Sequence, residues 1–304
     1  MSRRPDNNAP GPKREQSERP VLTSVWPTGT ASIEAQLDEG GYHRATSSDP
    51  ALMAPAIAHY AITAFTEPGD VVLDPDCGAG TTVVEALRCG RHAIGLTGQR
   101  RWWRLARANV TATKARGVFV DGMVLVLDRR PGTAVAAATA GMTGRVGLLL
   151  TTARLADPNG DTAGGMHRLQ QLLSQYRPLV RPGGYVVITS ASPRHPVRHD
   201  LLDTSGHVID AARAAGFVPI ARCLALTAAV RRDRIYSHAT LAERRSTARA
   251  ARALGRPVAL PAHQTVLVFQ ADPESREPAL SQPAPAQFGP RLRAREPQLV
   301  QAAA

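Results

Sequence analysis

The stretch VVLDPDCGAGTT, Val71 to Thr82, restricts the fold more than any other part of the chain. Three aliphatic residues and an aspartate read as a strand buried on both faces. Gly78 and Gly80 then let the backbone turn sharply and come close to a ligand, and a helix follows whose first turn offers free N–H groups at Thr81 and Thr82. A strand running through a glycine turn into a helix is the opening half of a βαβ unit. Such units build parallel sheets with helices on both faces.

The rest of the chain repeats this alternation. Asp49 reads as an N-cap with Pro50 at the first helical position, starting a helix that runs to Phe65. After the turn come a helix closed by Gly90, a strand over 92–97, a helix over 99–115 and a third strand over 117–126. VGLLLTT, 146–152, is a buried strand, followed by a helix over 164–180 and a strand over 181–190. A helix over 206–217, a strand over 218–230, a helix over 240–255 and a strand over 264–270 complete the pattern. The expected fold class is α/β: a doubly wound, mostly parallel sheet covered on both faces, with the last two strands as an antiparallel edge pair. Residues 1–20 and 271–304 are polar, proline-bearing and aperiodic, and read as disordered tails around one domain over 21–270.

Charge is distributed unevenly. The net charge of +12 is almost all arginine, since lysine occurs only at Lys13 and Lys114. The window 86–120 holds eight basic residues and no acid, and a basic helical insert over 231–256 holds eight against two acids. Compositional drift would spread the excess, whereas concentration in two windows points to a polyanion, with nucleic acid the expected partner. Within the second window Arg245, Arg249 and Arg252 recur at spacings of four and three, so they share one helix face that suits a phosphate backbone. Cys77, Cys89 and Cys223 have no paired metal spacing, and His195 and His199 lack a third ligand, so no metal is expected. The first twenty residues lack the apolar middle of a secretion signal and no apolar run reaches the length of a membrane span, which gives a cytoplasmic expectation.

The turn is neither G-x-G-x-x-G nor a P-loop. VVLDPDCGAGTTVVEALRCGRHAIGL resembles motif I and the following unit of the class I S-adenosylmethionine-dependent methyltransferases, nearest to the DNA amino-methyltransferases of the N4-cytosine and N6-adenine type. Their signature, D-P-F-x-G-x-G-T-T followed by E-A and G-R-x-x-I-G, is matched at Asp74, Pro75, Gly78, Gly80, Thr81, Thr82, Glu85, Ala86, Gly90, Arg91, Ile94 and Gly95. The resemblance implies a Rossmann-like fold, S-adenosylmethionine as cofactor and DNA as substrate. It assigns cofactor contacts to Asp74, Pro75, Cys77, Gly78, Gly80, Thr81 and Thr82, and loosely places Asp121 and Gly122 near the adenine. Of the adjacent Trp102 and Trp103, only one can face the core, and helix packing is the favoured role for both.

Two elements depart from the family pattern. The acid that would hold the ribose hydroxyls is replaced by Thr97, and no Asp or Glu occurs over 86–120, so cofactor binding is expected to be weak. The family's motif IV, [DNS]-P-P-[YFW], accepts hydrogen bonds from the target amino group and stacks on an extruded base. Its position here reads Thr152, Ala153, Arg154, Leu155. Thr152 is the candidate acceptor, with Arg154 and Leu155 beside it; Asp157–Gly160 reads as a plain turn. The sequence therefore leads to a DNA methyltransferase-like protein with impaired or lost catalysis. The alternatives are a non-catalytic nucleic-acid-binding or regulatory descendant, and a methyltransferase acting on RNA or a small molecule.

Overall fold

A computed structural model describes residues 21–50, 52–127, 139–155, 161–191, 194–195 and 198–272. The expected tails, apart from residues 271–272, and the 157–160 turn lie outside the described residues. In chain order the elements are β1 Val25–Trp26, α1 Ile33–Glu39, α2 Pro55–Phe65, β2 Val71–Asp74, α3 Thr81–Arg88, β3 His92–Thr97, α4 Arg100–Lys114, β4 Gly122–Val126 and β5 Val146–Thr152. There follow α5 Ala163–Tyr176, β6 Val180–Ser190, α6 Ser205–Ala214, β7 Phe217–Leu226, β8 Ala228–Arg231, β9 Arg234–Ser237, α7 Leu241–Leu254 and β10 His263–Ala271.

Eight strands form one sheet in the order β1-β7-β10-β6-β5-β2-β3-β4, and β8 and β9 form a separate hairpin. β2 pairs in parallel with both β3 and β5, so the order reverses direction at β2. The carboxyl ends of β2 and β5 therefore flank the switch point, where open α/β sheets bind ligands. The antiparallel strand is β10, but it lies inside the sheet between β6 and β7, not at the edge expected from sequence. Its residues Val266 to Phe269 are all buried, and an interior position covers both of their faces.

Alternation along β5 divides the core. Leu148 and Leu150 face the layer of α2, α3 and α4, while Leu149 faces α5 and α6 with Leu73, Ile188 and Leu267. α7 follows its sequence signals: the Thr240 hydroxyl accepts from Glu243 N at 3.2 Å, the Glu243 carboxylate accepts from Thr240 N at 2.7 Å, and Gly255 ends the helix at φ 61°. Only Ala250 of α7 is buried.

Three local expectations are corrected. α2 begins at Pro55 with Ala54 as N-cap, because Asp49 is used elsewhere. The strand expected over 218–230 breaks at Thr227 into β7 and β8. β4 starts at Gly122, so Asp121 and Gly122 stand at its amino end, away from the carboxyl edge where an adenine would lie. Asp121 is exposed there and faces His92 at 3.4 Å.

Candidate functional site

The turn after β2 is shaped by a residue that the sequence reading assigned to a helix cap. Asp49 reaches across from the preceding loop, and its carboxylate accepts from Ala79 N at 2.6 Å. Gly78 adopts φ 48°, and a β-carbon there would lie 1.9 Å from the Asp49 Oδ2. Gly80 adopts φ 83°, and a β-carbon there would meet Ala106 of α4 at 2.8 Å. Both glycines are thus required by conformation and by internal packing, before any ligand is considered. Cys77 is buried and its N–H donates to Leu96 O at 2.8 Å, tying the turn to β3.

Asp74 ends β2 fully enclosed. Its carboxylate accepts from Asp76 N at 3.1 Å and from the Thr82 hydroxyl. Burial pushes its pKa up to about 7, and the nearby Asp76 and Asp49 charges add to the rise. The same three carboxylates act on Cys77, whose thiol burial raises well above its usual range. Thr81 and Thr82 are buried at the start of α3, Thr82 with its hydroxyl 3.9 Å from Met53 Sδ. Pro75 lines the cleft described below.

Two other family-pattern positions are structural. Glu85 is buried and accepts from Tyr42 Oη at 2.6 Å and from Arg88 at 2.5 Å, with His59 Nδ1 3.6 Å away. Arg91 is buried and donates to Thr66 Oγ1 at 2.9 Å, to Thr66 O at 2.6 Å and to Cys89 O, locking the end of α2 to the start of β3.

At the end of β3, Thr97 is buried, its carbonyl accepts from Leu127 N at 2.9 Å, and its hydroxyl accepts from Gln99 N at 3.4 Å. Both tryptophans pack. Trp102 is buried, and Trp103 donates from Nε1 to Val124 O at 3.0 Å with Arg107 over its ring.

A cleft of about 670 Å³ opens beside the switch point, between the ends of β2 and β5 and the side of α5. Pro75, Asp76, Thr152, Arg154, Arg168 and Tyr176 are among its lining residues. Thr152 shares a hydrogen bond with the Thr189 hydroxyl at 3.0 Å, and Ala153 N donates to Thr189 O at 2.8 Å. The Arg154 guanidinium pairs with the Asp76 carboxylate. Leu155 is 4% exposed and packs in the aliphatic core on the α5 side. Of the predicted cofactor positions Pro75 lines this cleft, together with Thr152, Arg154 and Leu155; Asp74, Cys77, Gly78, Gly80, Thr81, Thr82 and Thr97 are not among its lining residues. Arg245, Arg249 and Arg252 lie apart from it on exposed α7. The signal that sequence reading missed was the Ser48–Asp49–Pro50 segment before the turn. It was read as a cap because nothing local distinguishes a capping aspartate from one that bonds thirty residues away. His195 and His199 are joined through a backbone bond, and among the described residues no group of three or more His, Cys, Asp or Glu is arranged to hold a metal.

Strand order, switch point and glycine turn define a Rossmann-like methyltransferase fold. A model of the family described as DNA methylase, of the N6 and N4 type, matches residues 3–106, about a third of the chain. The type II methyltransferase M2.DpnII of Streptococcus pneumoniae is 43% identical over 99 residues. That match covers 33% of this chain and 34% of the relative, so the chain spans about a third of the length of the curated relative it matches. Among solved structures, a methyltransferase from Methanosarcina mazei aligns at 12% identity and TM-score 0.42, over 68% of this chain and 95% of that one. TrmN from Thermus thermophilus aligns at 16% and 0.45, over 72% and 49%.

The family's cofactor is S-adenosylmethionine, and the turn suits it. The cofactor presents a sulfonium and an ammonium, and Asp49, Asp74 and Asp76 gather around the turn; burial chiefly, and then the charges of Asp76 and Asp49, raise the pKa of Asp74. At the end of β3 the Thr97 hydroxyl already accepts from Gln99 N. No helix among the described residues is long and apolar enough to cross a membrane.

Proposed function

We propose that this chain is a DNA-binding member of the amino-methyltransferase family that holds S-adenosylmethionine weakly and has impaired or lost methyl transfer. Asp74, Pro75, Cys77, Gly78, Gly80, Thr81 and Thr82 form the methionine side of the cofactor site, with Asp49 bracing the turn, and Thr97 stands on the ribose side. When bound, the cofactor supplies the methyl group, and this chain's residues orient it beside Thr152, the only motif IV position with an acceptor side chain. One observation carries the reading. The motif IV cleft is bridged by the Asp76–Arg154 pair, while Thr152 is hydrogen-bonded to Thr189 and Leu155 is packed into the core. Ala153 and Arg154 stand where the family has prolines, and Leu155 stands where the family has the aromatic that stacks on a base. The exposed Arg245, Arg249 and Arg252 face supports duplex DNA as the partner.

Calorimetric titration with S-adenosylmethionine and S-adenosylhomocysteine, beside an Asp74→Ala control, tests the cofactor part. High-micromolar binding that the control abolishes is expected, with methyl incorporation into genomic DNA at or near background. Efficient incorporation would overturn the impairment. Absence of binding into the millimolar range would make the turn a structural inheritance.

A further inference from the structure

The β8–β9 hairpin springs from the same edge of the sheet as the cleft. β6 is parallel to β5, and β10 is antiparallel to both β6 and β7, so β7 ends at the carboxyl edge where Asp74 and Thr152 stand. The hairpin is held at its base by buried Ala228 and Ala229 and by His238 Nε2, 2.9 Å from Gly29 O. Beyond that base it projects into solvent.

Its register pairs Ala229 with Tyr236 and Arg231 with Arg234 on one face, and Val230 with Ile235 on the other. Three features of this ribbon oppose its own folding. Like charges stand directly opposite each other at Arg231 and Arg234. Arg232, in the two-residue turn, has φ 55°, a left-handed backbone that glycine adopts freely and arginine does not. Val230, Ile235 and Tyr236 are 54%, 61% and 48% exposed. The Arg232 and Arg234 side chains make no hydrogen bond or ion pair among the described residues, and the Arg231 guanidinium lies 5.7 Å from the Tyr236 ring centroid.

We infer that the β8–β9 ribbon enters a groove of duplex DNA, with Arg231, Arg232 and Arg234 on phosphates and base edges and Tyr236 alongside them, while α7 follows the backbone. This rests on DNA being the partner, as proposed above. A polyanion relieves the Arg231–Arg234 repulsion, a groove wall covers the exposed side chains, and a two-stranded ribbon fits a major groove about 12 Å wide. Strain held at an exposed arginine places a guanidinium at the tip, where it reaches farthest.

The test is binding of the full chain to a labelled duplex of about two helical turns, by anisotropy at stepped salt. Arg232→Gly removes the guanidinium and suits the turn, so it keeps or raises Tm and separates contact loss from misfolding. The expected result is a severalfold loss of affinity with the salt slope reduced by about 0.9, and nearly three times that reduction for Arg231→Ser/Arg232→Gly/Arg234→Ser. Wild-type slope and affinity in both variants would overturn the ribbon's role while leaving DNA as partner. A wild-type chain that shows no salt-dependent duplex binding would overturn the DNA reading itself. If Val230→Ser/Ile235→Ser abolishes self-association in sedimentation and leaves duplex binding unchanged, the ribbon is a protein contact and the inference fails.

Discussion

Asp74→Asn is the substitution whose effect the structure fixes most closely. The carboxylate ends β2 in full burial, and its pKa rises from 3.8 to about 7, chiefly through desolvation. The folded state thus binds this proton more tightly than the unfolded chain does. Between about pH 4 and pH 7 the unfolded state holds fewer protons at this site, so stability falls as pH rises through that window and stays low above it. A rise of roughly three units at 1.36 kcal/mol per unit corresponds to about 4 kcal/mol. Asparagine keeps the acceptor oxygen for Asp76 N–H and the Thr82 hydroxyl but never ionises. The variant is expected to match the wild type at pH 4 and to exceed its stability by up to about 4 kcal/mol at pH 8. Urea unfolding of both proteins without cofactor, across that range, measures the difference directly. A difference that does not vary with pH, or an asparagine variant that is the less stable at pH 8, would refute the argument. The cofactor supplies a second readout. An ammonium placed beside Asp74 favours the carboxylate, so binding near pH 6 releases a proton, detectable by calorimetry in buffers of different ionisation heat.

Other expectations follow from neighbouring residues. Asp49→Ala leaves Ala79 N buried without its acceptor and is expected to cost about 1–3 kcal/mol in denaturant unfolding while also weakening S-adenosylmethionine binding; an unchanged affinity would confine Asp49 to folding. Thr97→Glu supplies the missing ribose acid, and two charge-assisted hydrogen bonds predict at least a tenfold gain in cofactor affinity, with no gain arguing against this placement of the ribose. His59, 3.4 Å from the Cys89 sulfur and 3.6 Å from the Glu85 carboxylate, is held protonated up to about 10. Its contribution to stability is present below its unfolded pKa near 6.5 and is lost as pH rises toward 10, so an imidazole NMR titration near 6.5 would contradict the geometry.

The parts of the fold legible in sequence were those set by local rules. Buried aliphatic strands, the α3 turn and the capped α7 all follow from periodicity and capping chemistry confined to a few residues. What escaped was set by partners far along the chain. Asp49 has the same sequence signature whether it caps a helix beginning at Pro50 or accepts from Ala79 N, and only the folded turn decides between them. β10 reads as an edge strand because it follows β7 in sequence, yet insertion beside β6 buries both of its faces. The break at Thr227 is likewise invisible locally, since Ala228 and Ala229 continue an apolar run while leaving the sheet for the hairpin. At the site the glycine turn between β2 and α3 was readable because glycines between a buried strand and a helix advertise a sharp turn. The fate of the motif IV residues was not, since Arg154 acquires meaning only from Asp76.

That pair bears the sharpest remaining prediction. Asp76 stands where the family pattern has phenylalanine and Arg154 where it has proline, so two departures from the pattern meet across one cleft. Both side chains are about half exposed, at 43% and 49%, and an exposed ion pair contributes under about 1 kcal/mol. Stability therefore does not account for the pairing, and Arg154→Ala is expected to leave the unfolding midpoint almost unchanged. Its effect should fall on the cleft, where Arg154 and Asp76 both line the approach to Thr152. Removing the guanidinium opens that approach and frees Asp76 to face a cationic cofactor, so affinity for S-adenosylmethionine rises while affinity for the uncharged-sulfur product S-adenosylhomocysteine changes less. A double-mutant cycle with Asp76→Asn separates the two contributions: the gain should vanish in the Asn background. Equal gains for both ligands in both backgrounds would show that Arg154 obstructs by bulk alone, and that its pairing with Asp76 has no electrostatic consequence for the site.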